Sequence, residues 1–213
     1  MPTLNEGLTA LTQELGVPQD ATDVITREVG EVERAGRAPG LSVGDEAPDF
    51  DLPDATGGQV RLSDLLRAGP VVLSFYRGEW CPYCNLALHT WQQKLAELTA
   101  AGGQLVAITP QRPTNALSLT DKQALAFPVL SDETQQVIGA YKLHFDLPPG
   151  LKDLYGNAFG LDLTEQNADG TWSLPVPGTF VIDRDRRIRF AWASADYRVR
   201  AEPDDVIDVL RSL

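Results

Sequence analysis

The chain has 213 residues, of which 43% are hydrophobic and 23% charged, a composition typical of a globular protein and not of a disordered, collagen-like or coiled-coil one. Eighteen basic and thirty acidic residues give a net charge of −12, which disfavours nonspecific binding to nucleic acid. The sequence shows neither a membrane-length apolar stretch nor the basic and apolar blocks of a signal peptide. We therefore expect a cytoplasmic protein with no nucleic-acid or membrane partner.

Residues 1–40 are predicted to form a helical extension, and residues 41–213 the main domain. The first helix is indicated by leucines that recur at spacings of four, three and four, namely Leu4, Leu8, Leu11 and Leu15. A second apolar set runs from Thr22 to Arg34. We expect these helices to cover part of the main domain or to face a partner subunit, which leaves a homodimer open.

The pattern between residues 41 and 213 predicts an α/β sandwich with a mixed sheet. The expected order is a hairpin at 50–62, a helix at 63–66, a strand at 71–76, a helix at 82–101, a strand at 104–109, a helix at 114–126, a short strand at 127–130, a helix at 131–141 capped by Ser131, a loop-rich stretch at 144–172 with one helix near 151–159, a strand pair at 178–183 and 187–192, and a last helix at 203–213.

The two cysteines stand close together in Cys81-Pro82-Tyr83-Cys84. Two cysteines placed at random in a chain of this length would be three positions apart in roughly 1% of cases. In a reducing compartment such a pair is typical of a redox site. A zinc site is disfavoured because it needs four ligands, and the two histidines, His89 and His144, are not placed as a ligand pair. We expect no metal and no bound cofactor.

The pair follows a predicted buried strand and opens a predicted helix. The free N–H groups and the dipole at a helix N-terminus favour an anion, so we expect a lowered pKa at Cys81. Pro82 fits the first helical turn, where its missing N–H would be unpaired in any case. Cys84 lies one turn further and could resolve an oxidised Cys81 as a disulfide. The predicted supporting residues are Arg77, through a modest charge on a surface loop, and Trp80 and Tyr83, by shielding the thiolate from water.

The segment Phe75-Tyr-Arg-Gly-Glu-Trp-Cys-Pro-Tyr-Cys84 resembles a thioredoxin-fold active site. The wider frame is similar to the peroxiredoxin (AhpC/TSA) family over about residues 41–213, through Val43-Gly-Asp-Glu-Ala-Pro-Asp-Phe50, Val60-Arg-Leu-Ser-Asp64 and Thr179-Phe-Val-Ile-Asp183. The resemblance implies a thioredoxin fold, that is, a mixed central sheet flanked by helices, with a peroxiredoxin-type N-terminal hairpin and a thioredoxin-type Cys-x-x-Cys.

The sequence departs from the peroxiredoxin pattern at the positions around the cysteines. Peroxiredoxins carry Pro-x-x-x-Thr-x-x-Cys, which places Cys84 at the peroxidatic cysteine, Cys81 at the threonine and Arg77 at the proline. The later peroxiredoxin arginine falls near Pro177, where thioredoxins have a cis proline facing the disulfide. By resemblance, Val176–Pro177 is expected to be cis and to lie beside Cys81.

The parent families also differ in which sulfur attacks first. Thioredoxins use the first cysteine and peroxiredoxins the one at the position of Cys84; the helix-terminus argument favours Cys81. Two later arginines, Arg198 and Arg200, are expected in solvent, with either one a candidate contact for a substrate carboxylate or a subunit.

Together these features predict a thiol-dependent antioxidant oxidoreductase. We expect it to reduce hydroperoxides through a Cys81–Cys84 dithiol/disulfide cycle, with electrons from a thioredoxin- or glutathione-type donor. The alternatives are a thioredoxin-like protein disulfide reductase and a redox-sensing or binding module without turnover.

Overall fold

The structure is a computed structural model that describes residues 2–213, except for the side chains of residues 117, 121 and 122. The strands in chain order are β1 (Asp51–Pro53), β2 (Gln59–Arg61), β3 (Val71–Phe75), β4 (Gln104–Thr109), β5 (Val129–Ser131), β6 (His144–Asp146), β7 (Ser173–Pro175), β8 (Gly178–Ile182) and β9 (Ile188–Ala193). The helices are α1 (Leu4–Leu15), α2 (Gln19–Arg34), α3 (Leu62–Ala68), α4 (Pro82–Ala100), α5 (Pro113–Gln123), α6 (Gln136–Ala140), α7 (Pro149–Asp153), α8 (Leu163–Gln166) and α9 (Pro203–Arg211), and a π-helical turn (Leu154–Ala158) continues α7.

The centre of the protein is a five-stranded mixed sheet in the order β5-β4-β3-β8-β9. Strand β3 runs parallel to β4 and antiparallel to β8, and β8 pairs antiparallel with β9. Every residue of β3 and β8 is buried, as expected for apolar strands covered on both faces. The predicted N-terminal hairpin is present as β1 and β2.

The loop between β3 and α4 lies where the two parallel strands β3 and β4 both end. The backbone N–H of Glu79 in this loop donates to the side chain of Gln111, which follows β4, at 2.6 Å. Gly78 has a φ of +155°, and a Cβ there would collide with the indole of Trp80 and the side chain of Gln111. The loop is therefore closely packed, and it delivers the chain to the start of α4 in a fixed position.

The N-terminal helices pack on the rest of the chain. Thr3 and Glu6 form a capping box at the start of α1, and Gly16 ends it in the left-handed conformation. The buried side chains of α1 are Leu4 and Leu8, which join the apolar cluster that α4 and α9 share. Helix α2 buries Ile25, among others, against the segment around α7. The division of the chain at residue 40 stays a prediction.

Two predicted elements are wrong. The helix expected at 131–141 begins only at Gln136, because Ser131 is still paired with Thr109 in the sheet and the chain then has to turn. Asp132 supports that turn by accepting a hydrogen bond from Ile138 N at 2.7 Å. The loop-rich stretch expected at 144–172 begins with strand β6, which pairs antiparallel with β7 just after the stretch. Three-residue strands are too short to show a period in the sequence.

No helix in the described part of the chain is both long enough and apolar enough to cross a lipid bilayer.

Candidate active site

The two cysteines lie at the start of α4, as the sequence predicts. Cys81 is the N-cap residue, Pro82 is the first residue of the helix and Cys84 lies in the first turn. The backbone carbonyl of Cys81 accepts the N–H of Cys84 at 3.0 Å. Both cysteines are free thiols, and their exposed fractions are only 1% for Cys81 and 0% for Cys84. The site is therefore a buried dithiol, and it needs buried positive charge to hold a thiolate.

Two buried guanidinium groups supply that charge. Arg200 donates from Nη2 to Cys84 Sγ at 3.3 Å, and Arg77 donates from Nη1 to Cys81 Sγ at 3.9 Å. The exposed fractions are 8% for Arg200 and 3% for Arg77. The predictions of a surface loop for Arg77 and of solvent for Arg200 are therefore wrong.

Burial of each arginine is compensated by specific partners. The guanidinium of Arg77 stacks 4.0 Å from the centre of the Tyr197 ring and 4.8 Å from that of Trp80. Arg77 also donates to the hydroxyl of Tyr155. Arg200 donates to the backbone carbonyl of Tyr197 at 2.5 Å and to that of Val199 at 2.6 Å. These contacts leave part of each guanidinium to face a sulfur.

The two thiols have very different acidities. Burial raises the pKa of Cys84, but a hydrogen bond from Cys81 and the charges of Arg200 and Arg77 outweigh burial and lower that pKa to about 5. Burial raises the pKa of Cys81, and the hydrogen bond to Cys84 and its charge raise it further, against the opposing charges of Arg77 and Arg200. The predicted low pKa at Cys81 is therefore wrong: the pair holds one proton on Cys81 and one negative charge on Cys84.

A cleft of about 590 Å³ leads to the sulfur of Cys81. Cys81 lies in its wall together with Arg77, Trp80, Pro82 and Tyr83, whereas Cys84 does not line it. These five residues, all predicted to belong to the site, thus lie together in the wall of one cleft. A small molecule that enters the cleft meets Cys81 first, beside the guanidinium of Arg77.

Pro177 does not line the cleft that reaches Cys81. The Val176–Pro177 bond is trans, so the expected cis bond is wrong. Pro177 lines a separate cavity of about 10 Å³ with Arg77 and Tyr197, and neither cysteine borders that cavity. The space beside the sulfurs is taken by arginine side chains, which have no counterpart in the thioredoxin pattern used for the prediction.

Two residues of the site, Tyr155 and Tyr197, were not assigned to it from the sequence, and Arg200 was named only as a candidate contact for a substrate carboxylate or a subunit. Tyr155 comes from the π-helical turn, a kind of helix often found at functional sites. Burial raises the pKa of Tyr155 and of Tyr197, so both phenols keep their protons. The one signal for Arg200 was its position just before the last helix.

Among the described residues, no group of three or more His, Cys, Asp or Glu side chains lies together as a metal site would require. A dithiol at the start of a helix, with one low-pKa sulfur and a cleft to the other, defines a thiol-based redox enzyme.

Comparison with known proteins identifies the family. The AhpC/TSA family model matches residues 43–191. A putative peroxiredoxin of Mycobacterium tuberculosis is 34% identical over 161 residues, covering 76% of this chain and 88% of that protein. Peroxiredoxin Bcp of Escherichia coli K12 is 28% identical over 171 residues, covering 80% of this chain and 96% of the relative.

Solved structures support the same grouping. The crystal structure of peroxidoxin BcpB from M. tuberculosis superposes with a TM-score of 0.64 at 26% identity, over 81% of this chain and 98% of that one. Peroxiredoxin Q of Xanthomonas campestris gives a TM-score of 0.58 at 19% identity, over 76% of this chain and 90% of that one, a likeness of fold. The predicted thioredoxin fold is confirmed. The chain belongs to the AhpC/TSA family, and it is a thiol-dependent peroxidase.

Replacing Arg200 tests the origin of the acidic thiol. In Arg200→Met the pKa of Cys84 should rise from about 5 by about one unit or more, because an opposite charge in contact with the sulfur is lost. The thiolate is present above its pKa, so the change should appear as a titration midpoint at higher pH. The ¹³Cβ chemical shift of Cys84, followed by NMR between pH 4 and 9, measures it.

Arg198→Met is the matched control, since Arg198 is paired with Asp196 at 2.8 Å. An unchanged midpoint in Arg200→Met, or an equal shift in the control, would show that Arg200 does not set the acidity.

Proposed function

We propose that this enzyme reduces hydroperoxides by a dithiol/disulfide cycle in which Cys81 attacks the peroxide and Cys84 serves first as its base and then as the resolving thiolate. The observation that carries this proposal is the cleft, which reaches Cys81 while the negative charge rests on Cys84 beside it. Cys81 is thus the sulfur that a substrate can reach, which suits attack on the peroxide. Cys84 is the acidic sulfur, which suits a base and a resolving thiolate.

In the first step the Cys81 thiol passes its proton to the Cys84 thiolate. The Cys81 sulfur attacks the terminal oxygen of the hydroperoxide, the S–O bond forms as the O–O bond breaks, and the sulfur becomes a sulfenic acid. The leaving alkoxide takes the proton from Cys84 and departs as an alcohol. Once Cys84 has taken its proton, the Cys81 thiolate is the more nucleophilic of the two sulfurs, because the intrinsic nucleophilicity of a thiolate rises with its basicity.

In the second step the Cys84 thiolate, restored by that proton transfer, attacks the Cys81 sulfenic acid. The S–S bond forms and hydroxide leaves, taking a proton from solvent to become water. Two thiols have then given two electrons to one peroxide, and the products are a disulfide, an alcohol and water. Both sulfurs belong to one chain, so neither step requires a second subunit.

The surrounding residues support the reaction at the foot of the cleft. Arg77 lines the cleft beside Cys81, where its guanidinium can hold the peroxide and the departing oxygen. Trp80, Pro82 and Tyr83 limit the entry of water to the reacting sulfur. Pro177 does not line the cleft, and it adjoins the site through the small cavity that it lines together with Arg77.

We further propose that a thioredoxin- or glutathione-type thiol returns the disulfide to the dithiol in a reducing cytoplasm. A peroxide is the better supported oxidant for this site, because the chain belongs to the AhpC/TSA family and the cleft reaches Cys81. The rival order of attack, with Cys84 first, is favoured by its low pKa and by its position in the family motif.

Single cysteine variants test the order of attack. Cys81→Ser should lose peroxide turnover and form no rapid sulfenic acid, because Cys84 does not line the cleft. Cys84→Ser should form a sulfenic acid on Cys81 about a hundredfold more slowly than the wild type reacts, because the base is lost. Dimedone labelling after hydrogen peroxide, read by mass spectrometry, measures both.

Rapid labelling of Cys84 in Cys81→Ser would assign the attack to Cys84. In the wild type, faster reduction of insulin disulfides than of peroxide would make the enzyme a disulfide reductase. Oxidation by peroxide without repeated turnover, in the presence of a thioredoxin system, would make it a sensor.

A further inference from the structure

An irregular segment between β9 and α9 brings Arg200 to the acidic thiol. It spans residues 194–202 and contains neither helix nor strand. The guanidinium of Arg200 donates to Cys84 Sγ at 3.3 Å, and it also donates to the carbonyls of Tyr197 and Val199 in its own segment. The backbone of this segment therefore sets the position of the guanidinium, and a shift of the segment would move the positive charge away from the sulfur.

The side chain of Asn5 pairs with both backbone groups of Arg200. Its Oδ1 accepts from Arg200 N at 2.9 Å, and its Nδ2 donates to Arg200 O at 2.8 Å. Two residues of neighbouring antiparallel strands exchange hydrogen bonds in the same way. The two bonds together restrain both the position and the orientation of the Arg200 backbone, in a segment that has no strand partner of its own.

Asn5 is itself held in place at the start of α1. The backbone N–H groups of Leu4 and Asn5 both donate to the carboxylate of Glu202 at 2.9 Å, which is a favourable charge at a helix N-terminus. The Nδ2 of Asn5 also donates to this carboxylate at 2.6 Å. The side chain of Leu4 is buried in the apolar core. The start of α1 is thus a fixed support from which Asn5 reaches Arg200.

A second contact restrains the other half of the segment. The ring of Tyr197 packs edge-on against that of Tyr83 in α4, with 5.5 Å between the ring centres. This contact lies three residues before Arg200, so it leaves the backbone of Arg200 itself to Asn5. Loss of the Asn5 side chain should therefore displace the arginine in part and should not release the whole segment.

The charged and titratable groups that influence the Cys84 sulfur are Arg200, Arg77, Cys81 and Tyr76. Burial raises the pKa of Tyr76, so this phenol keeps its proton. Arg77 and Cys81 belong to the loop before α4. Among the described residues, the side chain of Asn5 bonds to Arg200 and Glu202 and to none of the other groups near the sulfur. An effect of Asn5 on the Cys84 thiolate therefore has to pass through Arg200.

We propose that Asn5 is a positioning residue that holds the guanidinium of Arg200 against Cys84 and so keeps the Cys84 thiol acidic. Both Asn5 and Arg200 lie outside residues 43–191, where the family model matches. For its catalytic consequence the inference rests on the proposed function, in which Cys84 serves as base and as resolving thiolate.

Asn5→Ala should raise the pKa of Cys84 by about half a unit, because the arginine charge is kept but is less well placed. The thiolate is present above its pKa, so the titration midpoint should move to higher pH. The bonds from the backbone N–H groups of residues 4 and 5 to Glu202 do not need the Asn5 side chain, so α1 should stay docked. The ¹³Cβ chemical shift of Cys84 measures the midpoint without relying on catalysis.

Two further variants separate positioning from a general structural role. In the Arg200→Met background, Asn5→Ala should cause no further shift, because the group through which it acts is absent. Gln13→Ala is the matched control: it removes the same amide group from an exposed position of α1 that does not hydrogen-bond to Asn5 and does not line the cleft. Its midpoint should equal that of the wild type.

An equal shift from Asn5→Ala in both backgrounds would overturn the positioning role, and so would an equal shift in Gln13→Ala. A lower melting temperature of Asn5→Ala with an unchanged Cys84 midpoint would also overturn it, because Asn5 would then act on stability alone.

The pH profile of peroxide reduction separates this inference from the proposed function. In Asn5→Ala the profile should move to higher pH by the same amount as the Cys84 titration, because the base in the first step has become less acidic. A titration that moves while the rate profile does not would leave the positioning role in place and would overturn the role of Cys84 as the base.

Discussion

Two buried sulfur atoms share one proton between two buried guanidinium groups, and the rest of the site depends on this arrangement. A thiolate without partners would be costly to bury. Here Arg200 contacts Cys84 Sγ at 3.3 Å and Arg77 contacts Cys81 Sγ at 3.9 Å. The result is an asymmetric pair in which the acidic sulfur is enclosed and the basic sulfur borders the cleft.

The groups that make this pair come from distant parts of the chain. The loop between β3 and α4 supplies Arg77 and Cys81, and the first turn of α4 supplies Cys84. All three residues lie inside the family match at 43–191. Arg200 comes from beyond that match, and the Asn5 that binds its backbone comes from before it. The same N-terminal helices and the turn between them form one wall of the cleft. Both ends of the chain therefore complete a site whose centre lies inside the family match.

Much of this fold is predictable from the sequence, because long apolar strands and amphipathic helices leave a clear period. Strand β3, helix α4 and the placement of Cys81 at its start follow from such patterns. Short elements such as β6 and α6 do not, since three to five residues carry too little of a period. The expectation of a cis bond before Pro177 was taken from the thioredoxin pattern, and it is wrong because the bond is trans.

The electrostatics of the site were harder to foresee. A helix N-terminus lowers the pKa of a thiol, and that rule alone favours Cys81. Which of the two thiols has the lower pKa depends instead on which sulfur Arg200 contacts. Arg200 is 116 positions from Cys84 in the sequence. Burial of Arg77 among Tyr155 and Tyr197 likewise depends on packing that brings three separate segments together.

The most direct measurement counts thiolates. The absorbance of the reduced protein at 240 nm, with that of the disulfide form subtracted, follows thiolate formation with pH. If the two sulfurs share one proton, one thiolate should appear with a midpoint near the Cys84 pKa of about 5. The second thiolate should appear only at a pH above the ordinary thiol pKa of about 8.5. Two thiolates that form together near 8.5 would contradict the account.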